Sequence, residues 1–431
     1  MTTLPVVPGV SAETTSALQA ALATLTSHGV DLSGLVNASQ IGQDRIVRKE
    51  TSLGIIRELD PPQDHIADSI APFMEVASDE VIFDLLTVQT DGLAPARAED
   101  AESELAQKDD HTAGQGRASL IDWSIKDHYT ASDVSRARDL RRVIEQIKAT
   151  GSVPLVVASM LEDWQAKYAR DRVVRRRKLD NRREQLVLDA CFNNEIVYND
   201  GKIKFAVPYD RPANQSAGNA AFDLPSAGIT DGVWDIANVT FDPIRFFNSL
   251  NDWMFERYGV RLGRVTGSRR IFNQFWNSEK FSQRAGLGAA ITAAGAATAP
   301  DLLYTPGSGW NQAAARQVIE QACGVQLREY DSVYRTRALG SKTTVANRFT
   351  PVNRLYLEPR PEDVGELATT QLGMGKTLTA PHPEGNWTPG FYEWEKESRD
   401  PWGTDVGNGI KMFPVLPHQQ YTVTVDVVLP S

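Results

Sequence analysis

The chain has 431 residues, 41% of them hydrophobic and 23% charged, with a formal net charge of −10. That length allows a large core divided into two or three domains, and the acidic balance argues against a dedicated nucleic-acid binder, which is basic as a whole. No apolar run reaches the roughly 18 residues that span a bilayer, Met1-Thr2-Thr3-Leu4-Pro5 lacks the basic and apolar regions of a secretory signal, and the well-separated Cys191 and Cys323 read as reduced thiols.

Residues 1 to about 75 read as an arm. Ser11 to Leu25 fits one short helix, with Ser11 as N-cap, Gly29 past its end, and Leu18, Leu22 and Leu25 on one face. Gly34, Gly42, Gly54, Pro61-Pro62 and Pro72 then keep breaking the pattern. Such a segment carries too little apolar surface to fold alone and must lie on the body or on a neighbouring subunit. Val76 to Thr90 reads as a short buried element. The chain next turns acidic, through Glu99, Asp100, Glu102, Glu104, Asp109 and Asp110. It returns as an alternating strand from Leu120 to Lys126, which predicts an extended two-stranded loop.

The longest helical signal spans Val156 to Asn193, with Val157, Met160, Leu161, Trp164 and Tyr168 on one stripe. A hairpin follows, its arms flanking Asn199-Asp200-Gly201. Asp242-Pro243 opens another helix as N-cap and first helical residue. Ile244, Phe247, Leu250 and Met254 line its face, and Gly259 ends it. A strand at Val260-Arg261-Leu262 and a helix from Ser268 to Phe275 continue the mixture, and residues 285–299 are rich in Ala and Gly. Strands and helices mixed in this way through residues 230–345 point to an α+β or α/β domain.

No catalytic constellation emerges. Gly373-Met374-Gly375-Lys376-Thr377 lacks the first glycine of a phosphate loop, Thr370 standing in its place. The six histidines never reach metal-ligand spacing with each other or with a cysteine, so no metal, no cofactor and no enzymatic activity are expected. Two groups stand out instead. The basic run Arg170, Arg172, Arg175, Arg176, Arg177, Lys178, Arg182 and Arg183 fits either a solvated, ion-paired helix or a face that touches DNA phosphates or acidic patches of a neighbour. The aromatic segment Trp387, Phe391, Tyr392, Trp394 and Trp402 fits either packing inside the second domain or an intersubunit contact.

Taken in order, the pieces resemble a known family. They are the Arg175-Arg176-Arg177 helix start, the Asp200-Gly201 hairpin and Trp234 followed by Phe241-Asp242-Pro243. Phe349-Thr350-Pro351-Val352-Asn353, Asp400-Pro401 and the final strand through Val423 to Val428 complete the set. The chain resembles the lambda-type (capsid protein E) branch of the Hong Kong 97-type capsid fold of tailed bacteriophages. The resemblance implies an α+β chain. Its arm would span residues 1–75, the start of a peripheral domain 76–92, and an extended loop 93–129. The peripheral domain with a long spine helix and hairpin would span 130–229. An axial domain would span 230–431, with an insertion at about 277–345 and C-terminal strands returning to the body.

It further implies a major capsid protein that assembles as hexamers and pentamers into an icosahedral head around double-stranded DNA. The chain would then reside in the virion, after assembly in the host cytoplasm. Implied partners are further copies of itself, portal and scaffold proteins, a decoration protein, and packaged DNA through non-specific contacts, with no membrane. The alternatives are an encapsulin-like compartment shell, another phage structural protein such as a portal subunit, and an enzyme whose site the sequence does not display.

Overall fold

A computed structural model describes residues 64–85, 114–130, 155–199, 203–209, 211–238, 240–275, 278–284, 304–305, 309–310, 312–337, 343–364, 373–399 and 402–430, with a few single positions elsewhere. The Ser11–Leu25 helix, the acidic stretch through Asp110 and the Ala/Gly-rich residues 285–299 lie outside the described residues.

In chain order, a short helix α1 (Ala67–Ile70) precedes strands β1 (Phe73–Glu75), β2 (Glu80–Leu85), β3 (Gly114–Ser119) and β4 (Ile121–Thr130). Helix α2 (Leu155–Asn193) follows, then the hairpin β5 (Glu195–Asn199) and β6 (Lys204–Pro208). Next come β7 (Ile229–Thr230), β8 (Val233–Asp235), α3 (Pro243–Tyr258), β9 (Leu262–Gly267), α4 (Arg269–Phe275) and α5 (Glu279–Arg284). After β10 (Tyr304–Thr305), β11 (Gly309–Trp310) and α6 (Gln312–Cys323), the chain is mostly strand. These strands are β12 (Gln326–Glu329), β13 (Val333–Arg337), β14 (Thr344–Arg348), β15 (Arg354–Pro359), β16 (Lys376–Thr379), β17 (Pro381–His382), β18 (Thr388–Pro389), β19 (Phe391–Arg399), β20 (Trp402–Val415) and β21 (Val423–Val428).

The α+β class holds, organised around two main sheets, with five two-stranded ribbons beside them among the described residues. The body sheet is built on β20, whose 14 residues pair antiparallel with β4 along one edge and with β19 and then β16 along the other; β1 adds parallel to β16. The second sheet has the order β12-β9-β15-β21-β8-β7 and carries α3, α4 and α6. Helix α2 has 39 residues, a rod of roughly 58 Å, and packs across the body sheet. Its C-terminal end reaches the second sheet, where the Phe192 and Tyr356 rings meet at 5.6 Å.

The local signals explain much of this. The Asp242 side chain accepts from Arg245 N at 3.0 Å, Pro243 opens α3, and Gly259 closes it in the left-handed conformation at φ 68°. Ile244, Phe247, Leu250 and Met254 are all buried beneath it. The hairpin pairs Glu195 with Pro208 through Asn199 with Lys204.

Two expectations need correction. The segment assigned to the extended loop is not all loop: Ile121–Thr130 is a full edge strand of the body sheet, from Ile121 opposite Met412 to Thr130 opposite Gly403. The strands that return to the body are β16, β19 and β20, whereas the last strand, β21, inserts between β15 and β8 of the second sheet.

Candidate functional site

The basic run divides into two faces of α2, and its inward half is neither solvated nor open to a polyanion. Arg175 is fully buried, and Arg176 and Arg183 nearly so. Arg175 donates through Nε to Asn408 Oδ1 at 2.6 Å, through Nη1 to Asp127 Oδ2 at 2.8 Å, and through Nη2 to Glu393 Oε1 at 3.2 Å. Arg172 reaches the other oxygen of the same carboxylate, Glu393 Oε2, at 3.3 Å, and the Tyr168 hydroxyl at 3.0 Å. Arg176 holds both oxygens of Asp180 at 3.1 Å while its guanidinium lies 3.2 Å from the centre of the Phe391 ring.

Burial pushes the Glu393 carboxyl above the usual range against the pull of Arg172 and Arg175. Burial also opposes the charge on Arg175, but its hydrogen bonds to Tyr129 and Asp127 and the Glu393 charge outweigh that and raise its pKa. The Tyr129 hydroxyl, desolvated in the same seam, rises to about 12. Four of the eight predicted cations, Arg172, Arg175, Arg176 and Arg183, are therefore spent inside the chain. Arg182 is half-buried, its guanidinium 5.1 Å from both the Trp123 and Tyr198 ring centres.

The same helix fastens residues 65–73, part of the arm expected to lie on the body or on a neighbour, to the body. Glu184 is fully buried and accepts from the backbone N–H groups of Ile66 and Ala67, both at 2.9 Å, and from the Tyr330 hydroxyl at 2.8 Å. Arg183 pairs with Asp68, donates to the Ala71 carbonyl at 2.8 Å, and covers the Phe73 ring at 3.7 Å. Asp64 accepts from the Ser332 hydroxyl. One signal was available: Glu184 stands next to the apolar positions Leu186 to Leu188, where a solvated glutamate is out of place.

The aromatic segment also divides. Phe391 and Tyr392 are buried and Trp394 is half-buried, all in the body sheet and not in the second domain. Tyr392 lies over Gly409 and donates to Asp122; Trp394 lies over Gly407 and donates from Nε1 to Ser124 Oγ at 3.2 Å. A Cβ at either glycine would occupy the ring's place, so the two glycines form the bed for the rings. Trp387 and Trp402 remain outside, 71% and 49% exposed, and Trp387 and its neighbour Asn386 both adopt positive φ, 57° and 56°.

Other chemistry-bearing groups are packed. Burial raises the Cys191 thiol to about 12, and Arg211 donates to its carbonyl at 2.7 Å. Gly373 to Gly375 turns into strand β16, not into a helix N-terminus, and Thr377 Oγ1 is used up on the Ala71 carbonyl. No three His, Cys, Asp or Glu side chains converge as metal ligands among the described residues.

The outward face of α2 carries what remains: Arg170, Arg177 and Lys178 exposed, with Val173 38% and Val174 42% exposed between them. Exposed valines also occur on the β5–β6 hairpin and the β13–β14 ribbon, at Val197, Val333 and Val345.

No family model and no curated protein matches the chain. Among solved structures it is similar to a phage-related protein of Bordetella bronchiseptica RB50. Identity is 12% over 89% of this chain and 98% of that one, with a TM-score of 0.45. It is also similar to a protein described as the capsid protein of an Escherichia coli CFT073 prophage, at 13% identity over 88% and 97%, with a TM-score of 0.46. An encapsulin of Synechococcus elongatus PCC 7942 shares 12% identity over 92% and 94%, with a TM-score of 0.32.

Proposed function

We propose that this chain is the major shell subunit of a tailed-bacteriophage head, assembling as hexamers and pentamers around double-stranded DNA and residing in the virion. The observation that carries this reading is the order of elements. A fastened arm leads to a strand pair running into a body strand, then to a 39-residue helix, a hairpin and a second α/β sheet, with strands returning to the body. That is the succession which the resemblance to the Hong Kong 97-type fold implies.

The physical construction suits the task. A shell subunit must stay rigid while meeting neighbours on several sides. Helix α2 is stiffened by ion pairs that face inward, and apolar side chains stand exposed at separate places on the hairpin, at Trp387 and at Trp402. The reading assigns the chain no catalytic centre; its partners are copies of itself, with portal, scaffold and decoration proteins as the expected accessories.

The test is expression of the full chain alone and beside its genomic neighbours, with electron microscopy of the soluble fraction. Closed shells, or isolated six- and five-membered rings, support the reading. Shells filled with protein cargo would redirect it to a cellular compartment. A uniformly small monomer or dimer in both preparations would overturn it.

A further inference from the structure

The second sheet is mounted on α2 at two places. The first is the end of the helix. There Arg354 of β15 donates to the Phe192 carbonyl at 3.1 Å and to Asn193 Oδ1 at 3.0 Å, beside the contact of the Phe192 and Tyr356 rings. The second is at Glu184, which lies about 12 Å back along the helix axis from Phe192. There Tyr330, which continues β12 by donating its N–H to the Gly267 carbonyl, donates its hydroxyl to Glu184 Oε1 at 2.8 Å. A body held at one point can turn about it; a second point fixes the angle.

Residues 64–71 complete the second mount, because they touch both sides of it. On one side they grip α2: Glu184 accepts from the N–H groups of Ile66 and Ala67, and Arg183 pairs with Asp68 and donates to the Ala71 carbonyl. On the other side they grip the second sheet and the segments that continue it. Arg328 of β12 donates to Ser69 Oγ at 3.0 Å, Ser332 donates to Asp64, and the His65 ring meets Phe349 edge-on at 5.7 Å. The two grips differ in strength. Glu184 is fully buried, so letting go of its N–H partners would strand a carboxylate away from water. Asp64 and Ser69 are exposed, so water replaces Ser332 and Arg328 as their partners at little cost. Helix α1 has only four residues, too few to hold its shape without these contacts.

We propose that residues 64–71 are a latch between the two sheets. They stay on α2 and either hold or release the second sheet, and release frees that sheet to turn about the Phe192 end of the helix. A change at this strap is then read out as a new angle between the sheets. The inference does not rest on the shell reading, because dispersed subunits test it.

The experiment places spin labels in the full chain at Lys178→Cys on α2 and Glu256→Cys on α3, both exposed positions; the native thiols Cys191 and Cys323 are buried. Pulsed electron resonance then reads the distance between the labels. Ser69→Ala, Tyr330→Phe and Ser332→Ala together remove the hydrogen bonds that tie the second sheet to the strap and to Glu184. The expected result is a shifted distance distribution, roughly twofold broader than that of the labelled parent. Ser69→Ala with Ser332→Ala alone, which spares the buried tyrosine, should move it in the same direction by less. Leu250→Ala loosens the core under α3 and leaves the mount's bonds in place, so it should leave the distribution where it was. A distribution unchanged in both strap variants would overturn the latch, because the end of α2 alone would then set the angle. Equal broadening in Leu250→Ala would overturn it too, because general loosening would then account for the result.

Discussion

The two main sheets of this chain each bury a large apolar cluster under helices, but only the body sheet adds a seam of buried charge to it. Beneath α3 the cover is hydrocarbon: Trp234 stacks on Phe246 at 3.8 Å, Phe247 meets Phe275 edge-on, and the cluster extends through Leu250, Val265, Leu355 and Val425. A buried polar group among them, Asn251, is satisfied by Cys323 O and Leu262 N. Beneath α2 the cover is threaded with charge, and Arg172, Arg175, Arg176 and Arg183 all turn inward onto carboxylates. An apolar interface tolerates small shifts because its attraction has no direction. A buried ion pair does not tolerate them, because each partner left unpaired bears its full desolvation cost. The body sheet thus fixes the helix in one register, while the second sheet is held mainly by the area it removes from water.

The sharpest way to break this comparison is to remove one charge. Arg175→Met leaves Asp127 and Glu393 without their shared cation and is expected to cost roughly 3–5 kcal/mol in urea unfolding. Adding Glu393→Met should deepen that loss, since Arg172 then loses the carboxylate it shares with Arg175. A single substitution costing under about 1 kcal/mol would mean that the seam is not a register device. In the second sheet, Leu250→Ala is expected to cost roughly 3 kcal/mol through lost contact and a residual cavity. Because the two sites share no partners, the combined Arg175→Met and Leu250→Ala chain should be additive within about 0.5 kcal/mol. A larger coupling would show that the sheets unfold as one tightly linked unit.

The same contrast explains what the sequence disclosed. Helix α3 was readable from Asp242-Pro243 to Gly259 because caps and a 3.6-residue apolar stripe are local signals. The extent of α2 was readable too, but not its orientation. Arg175 and Glu393 are 218 positions apart, and a run of arginines looks equally solvated or buried until its carboxylates are found. The aromatic segment misled for a related reason. Tyr392 and Trp394 are placed by Gly409 and Gly407 of the paired strand, and an isolated Gly-x-Gly states nothing about which rings it receives. The partners of Glu184 could not be named from sequence because they are backbone N–H donors, those of Ile66 and Ala67, and any residue type supplies them.

The face of the body sheet turned away from α2 offers a milder test. Gly407→Ala places a methyl group where the Trp394 ring lies, so the ring must leave Ser124. The expected cost is about 1–3 kcal/mol, with a shift in tryptophan emission as the indole becomes wetter. An unchanged emission would mean that the ring does not depend on its glycine bed.

The smallest effect separates the two faces by pH. On the outer face Asp405 accepts from Lys126 at 2.6 Å and lies 2.7 Å from His128 Nδ1, and these hydrogen bonds hold its carboxyl below the ordinary value of 3.8. Its folded-state pKa is depressed, so its contribution is fully present above that ordinary value and is lost as pH falls through the depressed one. Glu393 on the inner face has the opposite sign: burial raises its pKa, so protonation favours the folded state and its unfavourable contribution appears as pH rises. The melting-temperature gap between the parent chain and Asp405→Asn should therefore be present at about pH 5 and close as pH falls below 4. A gap that persisted in acid would mean that Asp405 stabilises the strand pair by packing, and the distinction between a charged outer face and a charge-threaded inner one would lose its electrostatic basis.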